Sequence, residues 1–204
     1  MDISYSKSKK VATLSWSNSS TLEEDFHLLE SFFDEFEKEK VRVVVLNAIE
    51  ACDFGAGEKD YLNSNKLSSV AKRIYHCPVP VIVSAKGSVS AIGLELINAS
   101  HICIASDDST FVASGPPANL SSASEARSNG LVNHIVPVET LVKEIDKLVE
   151  KILMLAPLAI KSCLKAANSG FESTLEDGLV LEARLFSEIF STEDMKEGTS
   201  AFLE

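Results

Sequence analysis

The sequence is poor in basic residues and contains no long apolar run. It has 19 Lys and Arg against 30 Asp and Glu, which gives a net charge of −11. Proteins that bind nucleic acids or anionic membranes need clustered Lys and Arg side chains for the phosphates, and a membrane-spanning helix needs roughly 20 consecutive apolar residues. We therefore expect neither a nucleic acid nor a membrane as a partner.

Cysteine and histidine are also sparse, and they form no metal-binding pattern. Cys52, Cys77, Cys103 and Cys163 lack the CxxC spacing of zinc or redox sites, and the four histidines are dispersed as well. We predict no metal site. Reduced cysteines of this kind, together with a polar N-terminus that lacks the apolar core of a signal peptide, favour a cytoplasmic protein.

Short β-branched runs alternate with amphipathic segments over the first two thirds of the 204 residues. Strands are predicted at 11–16, 42–46, 81–85 and 102–105, and helices at 22–36 and 68–75. This alternation is typical of an α/β fold that is built from right-handed crossover units.

Helical periodicity continues beyond Pro137. One apolar face is formed by Leu141, Ile145, Leu148, Ile152 and Leu155. Pro157 fits the first turn of the next helix, and Gly170 is expected to end it. Composition therefore predicts an α/β core over 1–137 and a C-terminal helical region over 138–204, which would serve oligomerisation or cover a ligand.

Polar clusters elsewhere favour structural roles. The segment 114–124, with two prolines and several serines, predicts a loop. Asp107-Asp108 predicts a solvated turn rather than a metal site. His101, next to an apolar strand, is interpreted as a core or edge residue rather than a catalyst.

Two glycine-containing turns follow buried-looking strands. Phe54-Gly55-Ala56-Gly57 follows the run 43–46, and Lys86-Gly87 leads from the run 79–83 towards a helix that begins near Ile92-Gly93. Backbone N–H groups at the start of a helix have no intrahelical acceptor and can hold an anionic oxygen. Two such turns could place two donors around one developing negative charge.

These segments, in this order, resemble the crotonase family of enoyl-CoA hydratases and isomerases. The motif at 54–57 is similar to the family's first oxyanion-hole turn, and the segment 86–96 is similar to its second turn and the following helix. Asn129-Gly130-Leu131-Val132 resembles the stretch before the family's helical tail, and residues 185–204 resemble its closing helices. The resemblance covers nearly the whole chain.

The resemblance implies a crotonase-like fold of repeated ββα units with a C-terminal helical region. It also implies a homo-oligomer, as a trimer or a dimer of trimers. The expected ligand is an acyl-CoA thioester, in which coenzyme A is part of the substrate and no separate cofactor is needed.

The resemblance also assigns roles to individual residues. By position, the N–H groups of Ala56 and Ile92 would hold the thioester oxygen, and Glu95 would be a catalytic glutamate. Contact with the coenzyme A part of the substrate is implied for Gly57, Gly93 and Lys59, with Lys59 meeting a phosphate.

Two features depart from the family pattern. The second turn is usually a run of glycines, whereas this chain has Ala91-Ile92-Gly93. The branched Ile92 side chain would narrow the space through which a substrate reaches the Ile92 N–H. The family's second catalytic glutamate would follow the strand around Phe111, where Gly115 and its neighbours stand instead.

These departures leave open whether the chain is an enzyme. One hypothesis is isomerase- or hydratase-like proton transfer, with Glu95 as the single acid and base and its apolar neighbours desolvating the carboxylate. The alternative is a catalytically silent homologue that binds an acyl-CoA or a protein partner. Decarboxylation of a malonyl-type thioester is a third hypothesis, since it needs an enolate pocket but no pair of glutamates.

Overall fold

A computed structural model describes residues 2–6, 10–15, 22–36, 40–49, 60–112 and 120–203. The chain divides into two compact units, Met1–Val149 and Glu150–Glu204. The division at residue 137 that composition predicts stays a prediction.

The first unit contains nine strands in its described residues. They are β1 (Asp2–Ser6), β2 (Val11–Ser15), β3 (Val43–Ile49), β4 (Val81–Ala85), β5 (Ser88–Ser90), β6 (Ile102–Ser106), β7 (Thr110–Val112), β8 (Leu120–Ser122) and β9 (His134–Val136).

Four described helices lie between these strands, and a fifth follows them. They are α1 (Leu22–Phe36), α2 (Asp60–Tyr75), α3 (Ala91–Ala99), α4 (Ala123–Ser128) and α5 (Leu141–Leu153). A short 3-10 turn, Val138–Thr140, precedes α5.

The strands form two sheets. The larger has the order β1-β2-β3-β4-β6-β9, in which β1 pairs antiparallel with β2 and every other pair is parallel. In the smaller sheet, β7 pairs parallel with β5 and antiparallel with β8. The expected mixed α/β architecture is confirmed.

The core lies between the large sheet and its helices. Every residue of β4 is buried, as its continuous apolar sequence predicts for a strand that is covered on both faces. From α1, the rings of Phe32 and Phe33 are buried in an edge-to-face arrangement with centroids 5.4 Å apart, and α2 contributes Val70 and Ile74.

Several predicted boundaries need correction. β3 continues to Ile49, and α2 begins at Asp60 rather than at residue 68. The turn at Lys86-Gly87 leads first into β5, and only then into α3. Within the predicted loop 114–124, residues 120–122 form β8. Short strands such as β5 and β8 carry too few residues to show a period, and they are defined by their pairing partners.

The second unit begins within the last turn of α5 and continues with α6 (Pro157–Glu172), α7 (Leu175–Ile189) and α8 (Glu193–Leu203). Gly170 does not end α6, which continues through it to Glu172. A Cβ atom on Gly170 would meet nothing within 4 Å, and one on Gly178 of α7 would be in ordinary van der Waals contact with the Gly170 Cα atom at 3.6 Å. A single glycine costs a helix only about 1 kcal/mol relative to alanine, so the helix can continue through it.

No helix in the described part of the chain combines the length and apolarity that crossing a membrane requires.

Candidate functional site

The ends of β3 and β4 define the candidate site. These strands are parallel neighbours, with Leu46 opposite Val83 and Ile49 opposite Ala85. Their carboxyl ends therefore lie at the same edge of the sheet, where open α/β sheets bind ligands. In the sequence, the predicted first turn follows β3, and the second turn lies between β4 and α3.

Ala56, Gly57 and Lys59, which belong to or follow the predicted first turn, lie outside the described residues. Their roles stay predictions that rest on the resemblance.

The second turn is a short, tightly held connection between β4 and α3. Gly87 has a φ of +66°, a conformation that favours glycine because a Cβ atom would be strained there. Its carbonyl accepts a hydrogen bond from the Thr110 N–H at 2.9 Å. β5 follows, with Val89 opposite Phe111 of β7, and α3 then begins at Ala91 with no residue between.

Ile92 and Gly93 lie in the first turn of α3. The N–H groups of this turn have no carbonyl acceptor within the helix, as the oxyanion prediction requires. Gly93 is buried. Whether the Ile92 N–H binds a thioester oxygen stays a prediction.

Glu95 is exposed, although its apolar neighbours suggested a desolvated carboxylate. Leu96 and Ile97 are buried, whereas the Glu95 side chain is accessible to water. The helix turns by about 100° per residue, so the two apolar residues face the core and Glu95 points elsewhere. Its catalytic role stays a prediction, without the desolvation that was expected to support it.

A cluster of buried hydroxyl groups lies at the same sheet edge and was missed by the sequence analysis. Ser84, Ser106 and Ser109 are each at most 2% exposed. The Ser109 hydroxyl donates to the Ala85 carbonyl at 3.2 Å, and its oxygen lies 2.9 Å from the Ser106 hydroxyl oxygen. Ser106 in turn donates to the Asp108 carboxylate. The run of polar residues directly after the buried strand β6 was the feature of the sequence that could have predicted this cluster.

The turn predicted at Asp107-Asp108 is confirmed. Asp107 joins the turn to the end of β9: its N–H donates to the Val136 carbonyl at 2.9 Å, and its carboxylate accepts the Val138 N–H at 3.2 Å. Both carboxylates are exposed. No group of three His, Cys, Asp or Glu side chains in the described ranges could hold a metal ion.

His101 and Cys103 are not part of this edge. His101 precedes β6, whose four steps to Ser106 span roughly 13 Å, and its Nδ1 accepts the Val81 N–H at 3.0 Å. Burial lowers the pKa of His101 below 6.5, against the opposing effect of the Tyr75 carbonyl. Burial also raises the pKa of the Cys103 thiol to about 12, which excludes a thiolate nucleophile at neutral pH.

Comparison with known proteins identifies the family. The family model described as enoyl-CoA hydratase/isomerase matches residues 114–204. The crotonyl-CoA hydratase of Syntrophomonas wolfei is 30% identical over 191 aligned positions, which cover 78% of this chain and 68% of that protein.

Other relatives match over a smaller part of their length. The probable mitochondrial enoyl-CoA hydratase of Dictyostelium discoideum is 43% identical over 82 residues, which are 40% of this chain and 30% of that protein. The chain thus spans less than a third of the length of this curated relative.

The fold agrees with these matches. The crystal structure of an enoyl-CoA hydratase from Mycobacterium smegmatis superposes with a TM-score of 0.87 at 23% identity, and covers 96% of this chain and 93% of that structure. At this identity the likeness shows the fold alone. Together with the extended match to the S. wolfei protein, it shows that the chain belongs to the enoyl-CoA hydratase/isomerase family of the crotonase superfamily.

Proposed function

We propose that this chain binds an acyl-CoA thioester and catalyses isomerase- or hydratase-like proton transfer on the acyl group. The parallel pairing of β3 with β4 is the observation that carries the proposal. It brings the carboxyl ends of both strands to one edge of the sheet, which supports the proposal that two turns far apart in sequence serve one ligand.

In this proposal the N–H groups of Ala56 and Ile92 hold the thioester oxygen. An enolate forms when the carbon next to the thioester loses a proton, and the two donors stabilise its negative oxygen. Loss of one such donor typically slows a reaction by about 100- to 1,000-fold. Contacts with the coenzyme A part of the substrate are assigned to Gly57, Gly93 and Lys59.

Glu95 moves the proton in this scheme. It follows Ile92 by three residues on α3, and residues with this spacing lie on one face of a helix. A carboxylate there is accessible to a substrate that is held at the start of the helix. A single carboxylate suits the transfer of a proton between two carbons better than the addition of water, which requires both an acid and a base.

The experiment is exchange of the α-protons of a short acyl-CoA with solvent deuterium. We expect exchange by the unaltered protein and a decrease of at least about 100-fold in Glu95→Gln. Glu139→Gln is the matched control, because Glu139 is also exposed but lies in the 3-10 turn before α5. Exchange that is equal in both variants would refute the role of Glu95.

The exposure of Glu95 also favours a second candidate, a silent homologue that binds acyl-CoA without turnover. Calorimetric titration with acyl-CoAs of several chain lengths separates the two. Binding without proton exchange would support the silent homologue. Absence of binding at every chain length would remove both candidates and leave a protein-binding role.

We also propose that the chain forms a homo-oligomer, as a trimer or a dimer of trimers. Large apolar side chains are exposed throughout the second unit, where a monomer in water would be expected to bury them. Among the most exposed are Phe171, Leu175, Val180, Phe202 and Leu203.

The cytoplasm is our proposal for the location of the protein. It is supported by the free thiols of Cys77, Cys103 and Cys163, since thiols stay reduced in that compartment. The D. discoideum relative is named as mitochondrial. Mitochondria are therefore the alternative location that an experiment has to distinguish from the cytoplasm.

A further inference from the structure

We propose that Ser109 is a positioning residue for the N–H group of Ile92. Its hydroxyl group donates to the carbonyl at the carboxyl end of β4 and thereby stabilises the short connection between β4 and α3. The inference rests on the proposed function, in which the Ile92 N–H holds the thioester oxygen, and it adds to that function a residue that does not touch the substrate.

The hydrogen bonds within the hydroxyl cluster single out Ser109. Each hydroxyl group has one proton to donate. The proton of Ser106 goes to the Asp108 carboxylate, which is its strongest acceptor because it is charged. The proton of Ser109 is then shared between two acceptors, the Ser106 oxygen at 2.9 Å and the Ala85 carbonyl at 3.2 Å, and Ser109 is the donor nearer to that carbonyl because the Ser106 oxygen lies 3.5 Å from it.

Thr110, the next residue, holds the same connection at a second point. Its N–H donates to the Gly87 carbonyl at 2.9 Å. Ser109 and Thr110 therefore bind the residues on either side of Lys86: Ser109 binds Ala85, and Thr110 binds Gly87. The pairing of β5 with β7 continues this attachment as far as Ser90 opposite Val112.

α3 begins immediately after β5. With no intervening loop to absorb movement, a shift of Ala85 or Gly87 moves the first turn of α3. Ser109 is thus linked to the Ile92 N–H through a short, continuous stretch of paired backbone. Oxyanion donors act by being held in place before the reaction, so loosening this stretch would lower the rate more than the affinity.

The experiment is hydrogen exchange of the amides of residues 86–93 in the full chain, measured by mass spectrometry for the unaltered protein and for Ser109→Ala. One hydrogen bond contributes a net free energy that corresponds to about a fivefold change in local opening. We therefore expect these amides to exchange about fivefold faster in Ser109→Ala.

Ser84→Ala is the matched control. Ser84 is also fully buried and lies on β4, but its hydroxyl donates to the Asn47 side chain at 2.9 Å. We expect exchange of residues 86–93 to stay within about twofold of the unaltered protein in this variant. Unchanged exchange in Ser109→Ala, or an equal increase in Ser84→Ala, would overturn the positioning role.

Proton exchange on acyl-CoA provides the second measurement. Ser109→Ala should lower kcat while it leaves KM within about twofold, because the donor acts mainly in the transition state. If the unaltered protein does not turn over acyl-CoA but Ser109→Ala still accelerates amide exchange, the proposed function fails and the positioning of α3 stands. If turnover is present but kcat is unchanged in Ser109→Ala, the positioning role fails alone.

Ser109→Cys keeps the experiment decisive should Ser109→Ala not fold. The thiol is a much weaker donor than the hydroxyl, so we expect amide exchange of residues 86–93 to rise by more than the roughly twofold range that is set for Ser84→Ala. No change in this folded variant would contradict the proposal.

Discussion

One polar residue holds each end of β4: the buried Ser109 at one end and the half-buried His101 at the other. At its carboxyl end Ser109 donates to the Ala85 carbonyl. At its amino end the backbone N–H of Val81 donates to the His101 Nδ1, and the Val81 carbonyl accepts the backbone N–H of His101 at 3.1 Å. The candidate site lies at the carboxyl end, so His101 supports the fold rather than the chemistry.

His101 should make stability depend on pH. Nδ1 must be unprotonated to accept the Val81 N–H, and burial lowers the pKa of the folded-state imidazole below 6.5. As the pH falls below about 6.5 the unfolded chain therefore binds more protons than the folded one. We expect the free energy of unfolding to decrease between pH 7.5 and the lowered pKa.

The measurement is urea unfolding at several pH values for the unaltered protein and for His101→Asn. The asparagine Oδ1 can accept the Val81 N–H but does not titrate. The variant should therefore lose less stability on acidification than the unaltered protein does. Equal losses in both proteins would show that His101 does not contribute to the pH dependence.

At the scale of residues, a contact was predictable from the sequence only where the residues that form it are close together in the chain. The turn at Asp107-Asp108 was predictable because Asp favours turns. Ser109, two residues after Asp107, looks like one more turn residue in the sequence. Its partner Ala85 precedes it by 24 residues, and only the pairing of β4 with β6 brings the two together.

At the scale of elements, α4 shows how a short helix is defined by its cap. Ser122 accepts the Glu125 N–H at 3.3 Å, while the Glu125 carboxylate accepts the Ser122 N–H at 2.8 Å. This reciprocal pair is a capping box. The hydrogen bonds from the Ser122 N–H and hydroxyl lower the pKa of Glu125, so this interaction is present above about pH 4.5 and is lost at lower pH.

Ser122→Ala should lower the free energy of unfolding by about 1 kcal/mol, because it removes the side-chain cap of α4. Ser124→Ala is the control: it removes an exposed hydroxyl from the same helix and should change stability by less than about 0.5 kcal/mol. Urea unfolding of both variants tests the difference. Equal stability of the two variants would contradict a stabilising role for the cap.

Elements with a long, regular pattern were predictable, whereas those defined by remote partners were not. The helix at 22–36 and the strand at 81–85 are confirmed, since the first shows a helical period and the second a largely apolar run within its own residues. β5 has three residues, and its pairing with β7 depends on the chain returning from β6. The turn at Gly87 is therefore predicted from the sequence to lead directly to α3, and the strand through which Ser109 would position Ile92 is not predicted.

At the scale of the whole molecule, the two units differ in how much apolar surface they bury. The first has a continuous core that is formed by its sheet and helices. In the described residues from 150 onward, by contrast, the buried apolar side chains are Ile152 and Leu185. α6 and α7 also border a largely apolar groove of about 450 Å³. Two buried apolar side chains are too few to stabilise a helical unit on its own. This supports the proposed self-association.

The double variant Leu175→Lys/Leu179→Lys should shift the protein towards smaller particles. Both side chains are on α7 and are 74% and 55% exposed, so charges there would oppose burial in an interface between copies. Val142→Lys is the control, since Val142 is 61% exposed but lies in the first unit. Sedimentation velocity over a range of concentrations tests this: we expect the oligomer in the unaltered protein and in Val142→Lys, and its loss in the double variant. A monomer at every concentration for the unaltered protein would refute self-association, and an oligomer that persists in the double variant would place its interface away from these residues.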